Sequence, residues 1–108
     1  MKFALCNETY GGWDFDRSCA HIAESGYQGI EIAPFTLKED PRKISEAESI
    51  DFGRRASAAG LEVIGLHWLL VKPAWLHLTT DDPLLRKDTI AFGQHLARTR
   101  AAMRGSNM

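Results

Sequence analysis

The chain has 108 residues and a formal net charge of −1, with 44% hydrophobic and 25% charged residues. Such a length holds one domain with a modest core, and the composition is that of an ordinary globular chain and suggests neither disorder nor a membrane protein. A charge near zero argues against nucleic acid as a partner, and no apolar run approaches the roughly 20 residues of a membrane span.

Taken in order, Lys2 to Asn7 reads as a first short strand, and the Gly11-Gly12 pair breaks the chain into a loop that runs to Trp13. Phe3-Ala4-Leu5-Cys6 is too short for the core of a signal peptide. A helix follows, with Asp14 or Asp16 as its cap, Phe15, Cys19, Ile22 and Ala23 on one face, and Gly26 as its stop. Cys6 and Cys19 share no metal-like or redox-like spacing; two reduced thiols are expected, which favours a cytoplasmic setting.

The stretch Gly26-Tyr27-Gln28-Gly29-Ile30-Glu31-Ile32-Ala33-Pro34-Phe35 holds a second strand, Gly29 to Ala33, apolar enough to be buried on both faces of a parallel sheet. Glu31 is its misfit, and a carboxylate there needs either a polar neighbour or a solvated cavity. Pro34 turns the chain into a polar loop, Thr36 to Ile44, and Ser45-Glu46-Ala47-Glu48 has the form of a capping box. The second helix runs to about Ala59, and Gly60 ends it. Leu61 to Leu70 then reads as a third strand, followed by a long loop with Lys72, Pro73, Trp75 and His77. Asp82-Pro83 caps a last helix of about twenty residues, on which Leu85, Thr89, Phe92, Leu96, Thr99 and Met103 share a face. Arg98, Arg100 and Arg104 are expected on its solvated side.

Gly26 to Ile32 matches Gly60 to Leu66 at an offset of 34 residues, the length of one strand plus one helix. Alternating helices and buried strands imply parallel pairing through right-handed crossovers, in the order one, two, three. Ser106-Asn107-Met108 stands where a fourth strand would begin. The expectation is therefore an α/β chain, residues 1–108, of about three βα units cut short at the fourth strand.

Loops after the carboxyl ends of parallel strands share one rim, where ligands bind. The first strand delivers Asn7, Glu8, Tyr10 and Trp13 to it, the second Glu31 and Phe35, the third His67, Trp68, Lys72, Trp75 and His77. Carboxylate, imidazole and indole together suit a small polar ligand such as a sugar, although Trp68 and Trp75 could equally seal the core under the loop. His67 could bind a metal, bond a substrate hydroxyl or satisfy a backbone carbonyl. His21 and His95 fall on helices away from the rim. No paired-His metal motif and no Gly-rich phosphate loop is present; the capped helix starts near Asp16, Ser45 and Asp82 are weak anion sites in principle.

Lys2-Phe3-Ala4, Gly26-Tyr27-Gln28-Gly29-Ile30-Glu31-Ile32 and Ala59-Gly60-Leu61-Glu62-Val63-Ile64-Gly65-Leu66-His67 together resemble the start of the xylose isomerase-like TIM-barrel superfamily, the sugar phosphate isomerases and epimerases. The resemblance implies an eight-stranded βα barrel, of which three units are covered, and a divalent metal (manganese, magnesium or zinc) polarising a sugar carbonyl during proton or hydride transfer. It implies that Glu31 and His67 line the pocket, and it assigns the metal carboxylates and the acid/base pair to later strands. The substrate-binding candidates are thus Glu31, His67, Asn7, Trp68 and Trp13, with no metal ligand among them, and the expected partner is a sugar or sugar phosphate. The competing expectation is an inactive barrel remnant that pairs with itself or with another chain through exposed sheet edges.

Overall fold

Each helix begins at a side chain that fills its own first turn. In the computed structural model, which describes residues 1–104, α1 (Phe15–Glu24) starts at Asp14, whose carboxylate accepts from Arg17 N at 3.2 Å, so Asp14 and not Asp16 is the cap. The reciprocal box of Ser45 and Glu48 opens α2 (Glu46–Ala58), with bonds of 3.0 and 2.8 Å. Asp82 accepts from Leu84 N and Leu85 N to open α3 (Pro83–Met103). Caps of this kind stabilise a helix by about 1 kcal/mol each.

The exits of α1 and α2 share one geometry. Gly26 and Gly60 lie in the left-handed region, with φ of 94° and 84°. Beyond each, the chain bonds back into the last turn: Tyr27 N to Ile22 O and Gly26 N to Ala23 O in the first case, Leu61 N to Ala56 O and Gly60 N to Ser57 O in the second. This is the glycine-terminated Schellman pattern, and it is the physical content of the 34-residue repeat. Each exit feeds a strand.

The strands β1 (Ala4–Cys6), β2 (Gly29–Ile32) and β3 (Glu62–Leu66) pair in parallel in the order β1-β2-β3, as expected of successive βα units. One face of this sheet carries the core: Ile30, Ile32 and Val63 pack under Phe15, Cys19 and Ile22 of α1, Ala56 of α2 and Met103 of α3. Full burial of an isoleucine side chain is worth about 1.5–3 kcal/mol, and Ile22, Ile30 and Ile32 are all inaccessible. The opposite face is bare. A Cβ on Gly29 would fall 2.9 Å from Ile64 Cγ2 and 3.1 Å from Ala4 Cβ, which places those side chains together on that face, where Ile64 remains 49% exposed. The expectation that the second strand is buried on both faces therefore holds on the helix side alone.

Four sequence expectations are corrected. Asn7 leaves the first strand and opens a 3-10 turn, Asn7–Tyr10. The polar loop after Pro34 contains two more such turns, Pro34–Thr36 and Pro41–Lys43. The third strand stops at Leu66 and does not run to Leu70, because Leu66 and Leu70 turn to pack against a second cluster of Leu76, Phe92 and Leu96, which joins the long loop to α3. On that helix Arg100 is not a solvated side chain: it is half-buried, donates to Ile64 O at 3.3 Å, and its guanidinium is held below the usual range by that burial. The segment Ser106 to Met108, expected to begin a fourth strand, lies outside the described residues. Among the described residues no helix is long and apolar enough to cross a membrane.

Helices α2 and α3 meet where Gly53 faces the Met103 backbone. A Cβ at Gly53 would lie 2.8 Å from Met103 Cα and closer still to its carbonyl group. Gly53→Ala is expected to force the helices apart and lower stability by about 1–3 kcal/mol or more, read from the denaturant midpoint. A second prediction concerns pH. Burial pushes the Cys19 thiol from 9.0 up to about 11, the Asp16 carboxylate adding to the effect and Arg55 opposing it. Above pH 9 the unfolded thiol ionises while the folded one stays protonated, so stability should decline progressively from pH 9 to about 11. Cys19→Ala should lose packing at pH 7 yet flatten that alkaline decline.

Candidate functional site

Side chains alternate along a strand, so burying Ile30 and Ile32 turns Glu31 to the open face. Its partner in register on β3 is Gly65, and a Cβ there would sit 3.9 Å from Glu31 Oε1. The irregularity in register between Ile30 and Glu31 leaves Ile64 as the extra residue of β3. Past the strand end His67 N donates to Ile32 O at 2.9 Å, which holds His67 against β2. Its Nδ1 lies 3.9 Å from Glu31 Oε2, with the two side chains 42% and 38% exposed. That gap is too long for a direct hydrogen bond, and one oxygen atom about 2.8 Å from each group would close it.

Trp68 comes next, with φ of 54°. For so bulky a residue the left-handed region costs roughly 1–2 kcal/mol. The ring that results is 52% exposed; it stacks at 6.4 Å and 21° on Phe35, from the turn after β2, and lies 5.5 Å from the His67 ring. Glu31, His67, Trp68 and Phe35 thus form one open constellation at the carboxyl end of the sheet. It offers a hydrogen-bond acceptor, an imidazole and an aromatic wall, the set that holds a hydroxylated carbon ring by its edge and its face.

The other two candidates go elsewhere. Asn7 is buried at the same end of the sheet with both amide atoms engaged: Oδ1 accepts from Ala33 N at 2.9 Å and Nδ2 donates to Thr36 Oγ1 at 2.7 Å, while that hydroxyl donates to Ala33 O. It clamps the end of β1 to the end of β2. Trp13 packs with Tyr10 and His21 at 5.2 and 5.8 Å between ring centres, under the Arg17 guanidinium at 3.8 Å. Tyr10 Oη and His21 Nδ1 share a hydrogen bond of 2.9 Å, and His95 Nε2 donates to Pro41 O at 2.9 Å, so both helix histidines serve packing.

Cys6 was absent from the sequence candidates, yet it pairs in register with Glu31. Only the strand register could have revealed it. Burial first, and then the Glu31 and Glu8 carboxylates, push its thiol up against an opposing bond to the Glu8 backbone, so it stays protonated at neutral pH. Among the described residues no three or more His, Cys, Asp and Glu side chains converge into a group that could hold a metal ion. Glu31 and His67 supply two donors where a catalytic zinc takes three protein ligands, so these residues do not by themselves fit the divalent metal that the resemblance implies.

The two loops that flank the constellation are tied together. Lys72 Nζ meets Glu39 Oε1 at 2.7 Å, and Arg42 lies over the Trp75 ring at 5.2 Å while bonding Asp40 through two nitrogens. His77 is exposed on the second of these loops. Two shallow grooves, about 420 and 370 Å³, lie beside α2, lined among others by Lys38, Phe52 and Arg55 in one and by Ser49, His95 and Arg98 in the other; neither includes Glu31 or His67.

Asn7→Ala should leave Ala33 N without its partner and cost about 1–3 kcal/mol in denaturant unfolding. Asn7→Asp, which keeps the acceptor and loses the donor to Thr36, should fall between the two.

Comparison with models of known protein families, with curated proteins and with solved structures found no match.

Proposed function

We propose that this chain forms the first three βα units of a barrel of the xylose isomerase-like kind, part of a cytoplasmic sugar or sugar phosphate isomerase or epimerase acting by proton or hydride transfer. The observation that carries the reading is the pairing of Glu31 and His67, 3.9 Å apart, beside the half-buried Phe35 ring and the exposed Trp68 ring. A strained tryptophan supports it, because bulky side chains held in sparsely populated backbone regions cluster at ligand sites. So does the one-sided sheet, since parallel strands of a barrel carry helices outside and the ligand-facing side chains within. In this reading Glu31 and His67 bind and orient sugar hydroxyls and Trp68 covers a carbon face. The metal and the acid/base pair come from later strands, as the resemblance implies. Two free thiols, Cys6 and Cys19, accord with the cytoplasm.

A second reading is an inactive remnant that self-associates. The bare face around Ile64 and the outer edge of β1 favour it, because unpaired edges and exposed apolar faces invite a partner.

The test is a titration of the purified chain with D-xylose, followed by the indole N–H resonances of its tryptophans, with sedimentation velocity alongside. Dissociation constants in the millimolar range (about −4 kcal/mol) are expected from the Trp68 signal. His67→Ala should abolish the response of the Trp68 resonance while leaving the melting temperature within a few degrees. An unresponsive Trp68, together with a concentration-dependent dimer dissolved by Ile64→Lys, would replace the enzyme reading by the remnant.

A further inference from the structure

We infer that the ligand of this rim is uncharged: a hydroxylated sugar without a phosphate where it meets these three units. The inference rests on the sugar-binding reading above and goes on to ask what the rim does to an anion.

A βα fold offers a phosphate two kinds of partner, the open N–H groups at helix starts and the side-chain cations of the rim loops. Much of both kinds is already engaged. The first turn of α1 holds the Asp14 carboxylate, that of α2 the Ser45 hydroxyl with Glu48 folded back on Ser45 N, and that of α3 the Asp82 carboxylate. A phosphate approaching any of them would displace a bonded group, and at all three it would meet a carboxylate. Each start therefore sets a carboxylate against a phosphate.

Three of the loop cations are matched in the same way. Lys38 bonds both oxygens of Glu48 at 2.8 and 2.9 Å, and also Lys43 O. Arg42 grips Asp40 through its side chain and its backbone N–H, which, with weaker help from Lys43, holds the Asp40 carboxyl below its usual range. Lys72 meets Glu39 at 2.7 Å. Meanwhile Glu31 on β2, paired in register with Cys6, and Glu8 in the turn after β1 bring negative charge to the end of the sheet. A neutral polyol finds the acceptor, the imidazole and the rings it can use. A dianionic ester finds carboxylates and no cation that is not already paired among Lys38, Arg42 and Lys72.

The experiment compares D-fructose with D-fructose 6-phosphate on the full chain at low salt, reading the Trp68 indole resonance. The ester should bind at least about tenfold more weakly, a difference of roughly 1.4 kcal/mol. Glu39→Gln, which frees Lys72 at an exposed position, should narrow that gap several-fold by strengthening the ester alone, and added salt should remove the gain. If the ester binds as tightly as fructose or more tightly, with His67→Ala abolishing both, the inference falls and the sugar site stands. If neither sugar moves Trp68, the inference and the sugar site fall together.

Discussion

The central strand sets what every other part of the structure must do. Ile30 and Ile32 are buried without remainder under α1 and α2, and the two-residue alternation of a strand then leaves Glu31 no position except the opposite face. A one-residue slip of β2 would drive the carboxylate into the helix layer, at a cost of several kcal/mol. The hydrophobic core therefore holds the site in register. The glycine exits after α1 and α2 deliver β2 and β3 to the sheet by the same turn, and Asn7 pins the end of β1 beside the end of β2.

Much of this was legible in the residues. Gly26 and Gly60 marked both helix stops, because few side chains tolerate the left-handed backbone that a Schellman turn requires. Ser45 and Glu48 announced their box, and the stripe of Phe92, Leu96 and Met103 announced the buried side of α3. What stayed hidden depends on contacts distant in the chain. The run Leu61 to Leu70 is largely apolar, and periodicity cannot tell a strand from a segment that crosses to another cluster; Leu76, Phe92 and Leu96 decide that it crosses after Leu66. Asn7 looked like a rim side chain because its partners, Ala33 and Thr36, lie 26 and 29 residues away. Arg100 looked solvated because its acceptor is on β3. For the site, Glu31 and His67 were marked by being polar in apolar strands. Trp68 was ambiguous until its backbone angle and its stack on Phe35 were known.

The electrostatics of the rim follow from local economy more than from net charge. Each helix start is filled by a side chain within three residues of it, and Asp40 with Arg42 is as local. Lys72 with Glu39 is the longer link, and it joins the loops that follow β2 and β3. Exposed pairs of this kind contribute little to stability. Their larger effect is on recognition, since a cation already bonded to a carboxylate gives a second anion little to gain.

The order of the strands has a kinetic consequence. Ala4 and its partner Gly29 lie 25 positions apart, and Gly29 and its partner Glu62 lie 33 apart, so each pairing closes a loop of about one βα unit. Loop-closure entropy grows only slowly with length, and neighbours in sequence that are also neighbours in space keep contact order low. β1 pairs with β2, and β3 with β2, without any strand being skipped. Each addition covers the exposed edge left by the one before it, so the sheet grows by neighbouring pairings alone, and the long-range step is left to Met103 of α3, which closes the core over Phe15 and Ile22.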